Sequence, residues 1–168
     1  MSDHTDTATK SFGKLTLADV HEDDALPELS YAVTATTVVL GALASRDTRP
    51  MHHDQDFAVN RNGTRDIFLN TPNQAAWFER FLTDWSGPKG RLGRMKFRML
   101  GSVFPGDTMV LAGTVEQVEI DETGCGWATV LVRLTVDGDL KTDCTARIAL
   151  PTGDDDNPWT RRGDKWRP

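Results

Sequence analysis

The sequence lacks any apolar run that approaches the length of a membrane span, and residues 1–6 are polar. A membrane-spanning helix needs about 20 consecutive, mostly apolar residues. A secretory signal needs a basic segment followed by an apolar one, and the start of this chain shows neither. These absences predict a cytoplasmic protein that has no membrane partner.

Basic residues are also in the minority, since Lys and Arg number 19 against 25 Asp and Glu, with a formal net charge of -6. Proteins that bind duplex nucleic acid cluster Lys and Arg over one face, because contacts to the phosphates supply much of the binding free energy. The acidic balance therefore predicts no nucleic-acid partner. Small molecules or other proteins are favoured instead.

Cysteine is scarce, and the two that occur, Cys125 and Cys144, lie in neighbouring strand-like segments. If residues 137–139 form a three-residue loop, the hairpin has one nearly apolar face, whereas a two-residue turn would set apolar residues against Lys, Asp and Thr. The three-residue loop predicts these opposed pairs: Val136 and Leu140, Leu134 and Thr142, Val132 and Cys144, Val130 and Ala146, Ala128 and Ile148. Both cysteines are then predicted to be reduced, and Cys144 to be a small core residue.

The length of 168 residues suits one domain with a core of its own. Residues 1–25 are polar and acidic without sustained periodicity, so we expect an N-terminal arm. Residues 26–150 carry the periodic segments and form the predicted domain. Residues 151–168 are of mixed charge and are predicted to lie outside the core, although Trp159 and Trp166 should dock on this chain or on a partner because exposed tryptophans are costly.

Three segments have the spacing of helices. Residues 36–44 predict a short buried helix, and a second short helix is predicted to end near Asn60. The clearest helix follows, because Thr71 is a suitable N-cap, Pro72 suits the first turn, and residues 87–88 are Gly-Pro, which stop a helix. Its apolar residues form one wide stripe, more typical of a core than of a ligand site: Trp77, Phe78, Phe81, Leu82 and Trp85.

The remaining periodicity is that of strands. Apolar and basic residues alternate over residues 94–99, and residues 107–120, 126–136 and 140–150 follow as long strands joined by short turns. Their order predicts antiparallel strands paired consecutively. A curved sheet wrapped around the long helix would bury both apolar faces, so the predicted class is α+β.

Asp47 is followed five positions later by His52, with Pro50 between them to fix a turn. One interpretation is structural, in which the Asp caps the next segment and the His is a surface residue. The other is an acid/base pair placed after the predicted helix 36–44. His53 is interpreted as a structural neighbour, and no metal site is predicted, because adjacent His residues cannot readily converge on one ion.

Four stretches carry a family resemblance: Ala44-Ser45-Arg46-Asp47, His52-His53-Asp54, Asp66-Ile67-Phe68-Leu69-Asn70 and Thr83-Asp84-Trp85-Ser86-Gly87-Pro88. In order and spacing they resemble the MaoC-like enoyl-CoA hydratases, and among them the small subunits that act in bacterial steroid side-chain degradation. The resemblance covers roughly residues 26–150. It implies a hot-dog fold, a larger MaoC-domain partner subunit in a hetero-oligomer, and a steroid enoyl-CoA substrate, with coenzyme A as part of the substrate and no separate cofactor.

The resemblance also implies the roles of four residues. Asp47 and His52 would be the acid/base pair that holds one water, and we expect the pKa of Asp47 to be raised by an apolar pocket. Backbone N–H groups near Asn70 and Thr71, at the start of the long helix, would stabilise the thioester oxygen, where negative charge develops. The family usually has Gly at this turn, so Asn70 departs from its pattern.

Two other functions remain open from the sequence. A hot-dog acyl-CoA thioesterase could also use a carboxylate to activate water, and a non-catalytic hot-dog subunit could support a catalytic partner. Five basic residues could bind the phosphates of coenzyme A or could equally form a solvated sheet face: Lys89, Arg91, Arg94, Lys96 and Arg98.

Overall fold

The computed structural model describes residues 15–168, so most of the predicted N-terminal arm lies outside the described residues. In these residues the helices are α1 (Ala35–Ala44), α2 (Gln55–Asn60) and α3 (Thr71–Ser86). The strands are β1 (Ala25–Ala32), β2 (Arg91–Met99), β3 (Thr108–Ile120), β4 (Gly126–Val136) and β5 (Asp139–Leu150). Short 3-10 turns occur at Leu17–Asp19, Pro50–His52, Pro158–Thr160 and Gly163–Lys165. No helix in this part of the chain is both long and apolar enough to cross a membrane.

The five strands form one antiparallel sheet in the order β1-β3-β4-β5-β2. The prediction of consecutively paired strands is correct for β3, β4 and β5 and wrong for β2, which pairs with β5 instead of β3. The edge of β3 is occupied by β1, and the chain between β2 and β3 crosses through the fully buried Val103. The carbonyl of Val103 accepts a hydrogen bond from the N–H of Leu69, which fixes this crossing.

The concave face of the sheet wraps around α3, as predicted for an α+β hot-dog fold. Phe78, Phe81 and Leu82 are buried, while Trp77 and Trp85 are half-buried against the same core. At Gly113 on β3, a Cβ would lie 3.0 Å from the ring of Phe81, so the glycine allows the helix to approach the sheet. The apolar stripe of α3 is therefore core.

The β4–β5 hairpin confirms the predicted register along the strands but not at the turn. Val136 pairs with Asp139 rather than with Leu140. Residues 137–138 have φ values of 52° and 82°, as in a type I′ turn, whose twist matches that of the strands it joins. A one-residue bulge at Lys141 then restores the predicted pairs. Both cysteines are free and Cys144 is buried, as predicted, and Cys125 is buried as well.

Segments on both sides of the predicted domain 26–150 contact it. Leu17 is buried, and its N–H donates to the carbonyl of Pro151 at 2.8 Å. Near the other end, the ring of Trp166 packs against Trp127 with centroids 5.0 Å apart. Trp166 docks on this chain, as predicted, where it packs on an apolar cluster on the outer face of the sheet. Pro158 is buried as well, so the expectation that residues 151–168 lie outside the core is wrong for that residue.

Candidate active site

Asp47 is positioned by the end of α1. Arg46 adopts the left-handed conformation with φ 55°, its N–H donates to the carbonyl of Leu43 at 3.0 Å, and the N–H of Asp47 donates to Ala42 at 2.9 Å. These two bonds are those of a Schellman motif, which satisfies the last carbonyls of a helix and reverses the chain. The carboxyl group of Asp47 is thereby placed beside α1, with its side chain 17% exposed.

His52 lies in the 3-10 turn Pro50–His52, and its ring is buried. Its Nδ1 is 2.8 Å from the carbonyl oxygen of Phe68. Because a carbonyl oxygen only accepts, Nδ1 carries the hydrogen, and in the neutral ring Nε2 has the free lone pair. That Nε2 lies 3.6 Å from Oδ2 of Asp47. The structure therefore brings the predicted pair together, with the tautomer of His52 fixed.

Asn70 is the N-cap of α3, so the prediction that Thr71 is the N-cap is wrong by one residue. Oδ1 of Asn70 accepts from the N–H of Asn73 at 3.2 Å, while Thr71 is the first helical residue. Asn caps a helix as well as Thr does, and either could have served. The amide nitrogen of Asn70 also donates to Oδ2 of Asp47 at 3.0 Å, a contact that the sequence did not predict.

The pKa of Asp47 is lowered, contrary to the expectation that an apolar pocket would raise it. The hydrogen bond from Asn70 is the main cause, and it is helped by the N–H of Arg49 and by the charges of His52 and Arg49, while burial opposes it. Hydrogen bonds to the charged form of a carboxyl outweigh desolvation when the group is partly solvated. Asp47 is therefore a carboxylate at neutral pH.

The start of α3 lies beside the same pair. The backbone N–H groups of Asn70 and Thr71 have no hydrogen-bond acceptor within residues 15–168. Such unpaired groups, together with the helix dipole, favour an anion at a helix N-terminus. Asn70 is buried and Thr71 is exposed, so the start of α3 lies at the boundary between core and surface.

Comparison with known proteins places this chain in a family. No family model matches the chain. Over 93 residues it is 37% identical to the 3-oxo-4,17-pregnadiene-20-carboxyl-CoA hydratase beta subunit of Mycobacterium tuberculosis, a match that covers 55% of this chain and 71% of that protein. The chain belongs to the MaoC-like hydratases.

Solved structures of MaoC-like hydratases agree with this assignment. A chain of the ChsH1-ChsH2 complex from Mycobacterium tuberculosis matches with a TM-score of 0.72 and 31% identity, covering 77% of this chain and 98% of that one. An (R)-hydratase from A. caviae involved in PHA biosynthesis matches with a TM-score of 0.70 over 79% of this chain and 98% of that one. At 22% identity, this second likeness shows the shared fold.

In the stretch His52-His53-Asp54, which carries part of the family resemblance, Asp54 has a structural task. Asp54 is the N-cap of α2, with Oδ1 accepting from the N–H of Phe57 at 3.0 Å, and His53 is exposed. Within residues 15–168 no group of three or more His, Cys, Asp and Glu side chains could hold a metal ion. Among the stretches that carry the resemblance, Asp47 and His52 are the two titratable side chains that approach each other.

The basic residues considered for coenzyme A are largely engaged elsewhere in this MaoC-like chain. Lys89 donates to the carbonyl of Asp154 at 2.7 Å, and Arg94 donates to the terminal residue Pro168 at 3.1 Å. The guanidinium of Arg91 lies 3.6 Å from the centroid of the Trp166 ring. Arg98 pairs with Asp143 at 2.6 Å, and Lys96 is exposed. These contacts favour the structural interpretation.

The helix α1 is only half covered, whereas the sequence predicted a buried helix. Val38 and Ala42 are buried, but Leu40 and Leu43 are 58% and 62% exposed. An open groove of about 490 Å³ lies against this exposed side, between α1, β1 and α3. An apolar helix face beside the candidate site is a surface that the periodicity alone could not distinguish from core.

Proposed function

We propose that this chain is the catalytic small subunit of an enoyl-CoA hydratase, which adds water across the 2,3 double bond of a bulky, steroid-type enoyl-CoA. The proposal is supported above all by the distance of 3.6 Å between His52 Nε2 and Asp47 Oδ2. Nδ1 of His52 donates a hydrogen bond to the backbone carbonyl of Phe68, which leaves Nε2 free to accept. The substrate class follows the similar hydratase beta subunit, whose name specifies a pregnadiene-carboxyl-CoA.

The chemistry follows from two acceptors that face each other. A water between a carboxylate and a neutral imidazole nitrogen donates one hydrogen to each, which leaves its lone pair free to attack C3. One proton passes from the water to the pair, and the pair delivers one proton to C2. The hydroxyl and the hydrogen together account for the added water, and the pair regains its starting protonation.

The thioester oxygen collects negative charge as C3 is attacked. We assign its donors to the backbone N–H groups of Asn70 and Thr71 at the start of α3, because preorganised donors at a developing charge lower the barrier. Hydration involves no net oxidation or reduction, so it needs no redox cofactor, and we assign the proton transfers to Asp47 and His52 alone. Coenzyme A enters as part of the substrate.

We also assign the chain to a hetero-oligomer with a larger MaoC-domain subunit. A protein named as a beta subunit and a chain from a two-protein complex are among its relatives. Leu40 and Leu43 leave an apolar surface on α1, close in sequence to Asp47, which a partner could cover. Purification from the native host followed by mass spectrometry would identify that partner.

The site is tested in the assembled complex with a steroid-type enoyl-CoA. We expect Asp47→Asn and His52→Ala each to lower kcat by at least about 100-fold, because each removes one of the two bases that can take a proton from the water. His53→Ala is the matched control, since this neighbour is exposed, and should keep wild-type activity. Full activity in the Asp47 and His52 variants would assign catalysis to the partner instead.

Product analysis distinguishes the thioesterase. A 3-hydroxyacyl-CoA formed without release of thiol is the expected result. Free coenzyme A detected with a thiol reagent, in proportion to substrate consumed, would contradict hydration and favour attack on the thioester carbonyl.

A further inference from the structure

We propose that Asn70 is a positioning residue that holds Asp47 through its amide, and that Ser45 fixes the orientation of that amide. The inference rests on the proposed function, because it concerns the same acid/base pair. It assigns the Asn70 side chain a task separate from that of its backbone N–H.

The amide of Asn70 is fully used. Its nitrogen donates to Oδ2 of Asp47 at 3.0 Å and to Oγ of Ser45 at 2.8 Å, while Oδ1 accepts from the N–H of Asn73 at 3.2 Å. Asn70 is 1% exposed, so water does not readily replace these partners. The Asn70 side chain thus connects Ser45, Asp47 and Asn73 through two donated hydrogen bonds and one accepted hydrogen bond.

Ser45 favours one orientation of this amide. Its hydroxyl hydrogen is directed to the carbonyl of Gly41 at 2.8 Å, so its lone pairs face Asn70. A reversed amide would place Oδ1 against the hydroxyl oxygen of Ser45 and the carboxylate of Asp47, both of which only accept here. It would also leave the N–H of Asn73 without its cap.

This arrangement couples the two halves of the reaction. Asp47 follows the end of α1, and Asn70 begins α3, whose first N–H groups are assigned to the thioester oxygen. The charged groups that face Asp47 are His52, with Nε2 at 3.6 Å, and Arg49, with Nε at 3.8 Å. Asn70 and Ser45 add neutral hydrogen bonds that keep the Asp47 carboxylate at a set distance from those N–H groups. The reaction rate depends strongly on such distances, because small displacements of a catalytic group lower it.

The hydrogen bond also favours the ionised form of Asp47, in agreement with its lowered pKa. A carboxylate can accept a hydrogen from water, whereas a protonated carboxyl group loses part of that capacity. Removing the donor should therefore move the acid limb of the kcat/KM profile to higher pH.

Asn70→Ser is the decisive variant, because Ser is a good N-cap but cannot reach Asp47 with an amide. We expect kcat of the complex to fall by roughly 10- to 100-fold, a range typical of a displaced reacting group, with the acid limb shifted to higher pH. Asn73→Ser is the matched control. It removes a partly buried hydrogen bond made by a side-chain amide of the same helix, from Nδ2 of Asn73 to the carbonyl of Thr37, and it does not touch Asp47. We therefore expect lower stability and an unshifted acid limb of the kcat/KM profile.

Ser45 supplies a second, independent pair of variants. Ser45→Ala removes the acceptor that orients Asn70 and should shift the acid limb in the same direction, whereas Ser45→Thr keeps the hydroxyl and should restore the wild-type profile. If Asn70→Ser failed to fold, this pair would decide the question, since an unshifted limb in Ser45→Ala overturns the proposal.

A readout without turnover separates this inference from the proposed function. Titration of the Asp47 carboxyl by NMR should show a higher pKa in Asn70→Ser than in the wild-type protein. Loss of activity in Asp47→Asn together with wild-type kinetics and titration in Asn70→Ser would overturn the positioning role alone. Retained activity in Asp47→Asn would overturn the catalytic assignment itself.

Discussion

At the scale of single residues, hydrogen bonds hold the carboxylates of Asp47 and Asp121 for different tasks in this MaoC-like chain. Asp47 accepts a hydrogen bond from the side-chain amide of Asn70, beside His52. Asp121 accepts hydrogen bonds of 2.8 to 3.0 Å from the backbone N–H groups of Thr123 and Cys125 and from the indole N–H of Trp127. We assign Asp47 to the acid/base chemistry, whereas Asp121 stabilises the turn between β3 and β4.

Asp121 should make stability depend on pH in the acid range. Burial opposes its ionisation, but the hydrogen bonds from Thr123, Trp127 and Cys125 outweigh burial and hold its pKa well below the usual range. A group with a depressed folded pKa contributes stability above its unfolded pKa of about 3.9, and that stability is lost as pH falls toward the folded value.

We expect Asp121→Ala to lower the free energy of unfolding by about 2 kcal/mol at pH 7, in line with hydrogen bonds to a charged group. Urea denaturation at pH 7 and at pH 3 measures the effect. The difference between wild type and variant should shrink at the lower pH, and a difference that grew there would contradict the assigned pKa. Glu122→Ala, in the same turn but exposed, is the control.

At the scale of elements, the position of Asp47 depends on how closely α1 packs against α3. Gly41 lies at the contact, where a Cβ would be 1.8 Å from Nδ2 of Asn73. The same Asn73 donates to the carbonyl of Thr37 at 3.1 Å. A side chain at residue 41 must therefore separate the helices or break this bond.

Gly41→Ala should be destabilising even though Ala favours helix by about 1 kcal/mol over Gly. We expect the clash to dominate, with a net loss of about 1 to 2 kcal/mol, as for overpacked cores. Thermal denaturation checks stability, and kcat of the complex should fall because Asp47 follows this helix. Thr36→Ala, at an exposed position of α1, is the control and should change neither quantity.

At the scale of the whole molecule, the two faces of the sheet have different tasks. The concave face encloses α3 and the main core, while the outer face carries Cys125, Trp127 and Ala149, covered by Trp166. The guanidinium of Arg91 stacks on Trp166, and Arg147 stacks on Trp127. The C-terminal segment thus completes the fold on the face opposite α3.

Trp166→Ala should lower the free energy of unfolding by about 2 kcal/mol, because a half-buried aromatic ring and its stacked cation lose their contacts. Trp159 is 50% exposed, so Trp159→Ala should lower the free energy of unfolding by less. Chemical denaturation compares the two variants. Both should keep wild-type kcat in the complex, since Trp166 lies on the outer face, and a large loss of activity in Trp166→Ala would contradict this separation of tasks.

The sequence by itself determined the features that depend on neighbours along the chain. The alternation of apolar residues gave the long strands, the stripe of α3 marked its buried side, and the Asp47–His52 spacing marked the pair. These follow from periods of 2 and 3.6 residues and from local turn chemistry, which are properties of short segments.

Only the tertiary structure decided which distant segments meet. The pairing of β2 with β5, the docking of Trp166 and the donation from Asn70 to Asp47 each join residues far apart in sequence. Asn70 and Ser45 stood in the stretches that carried the family resemblance, yet no local pattern shows that an amide will reach a carboxylate 23 residues away. The expected pKa of Asp47 was wrong for this reason, because its direction depends on that one long-range hydrogen bond.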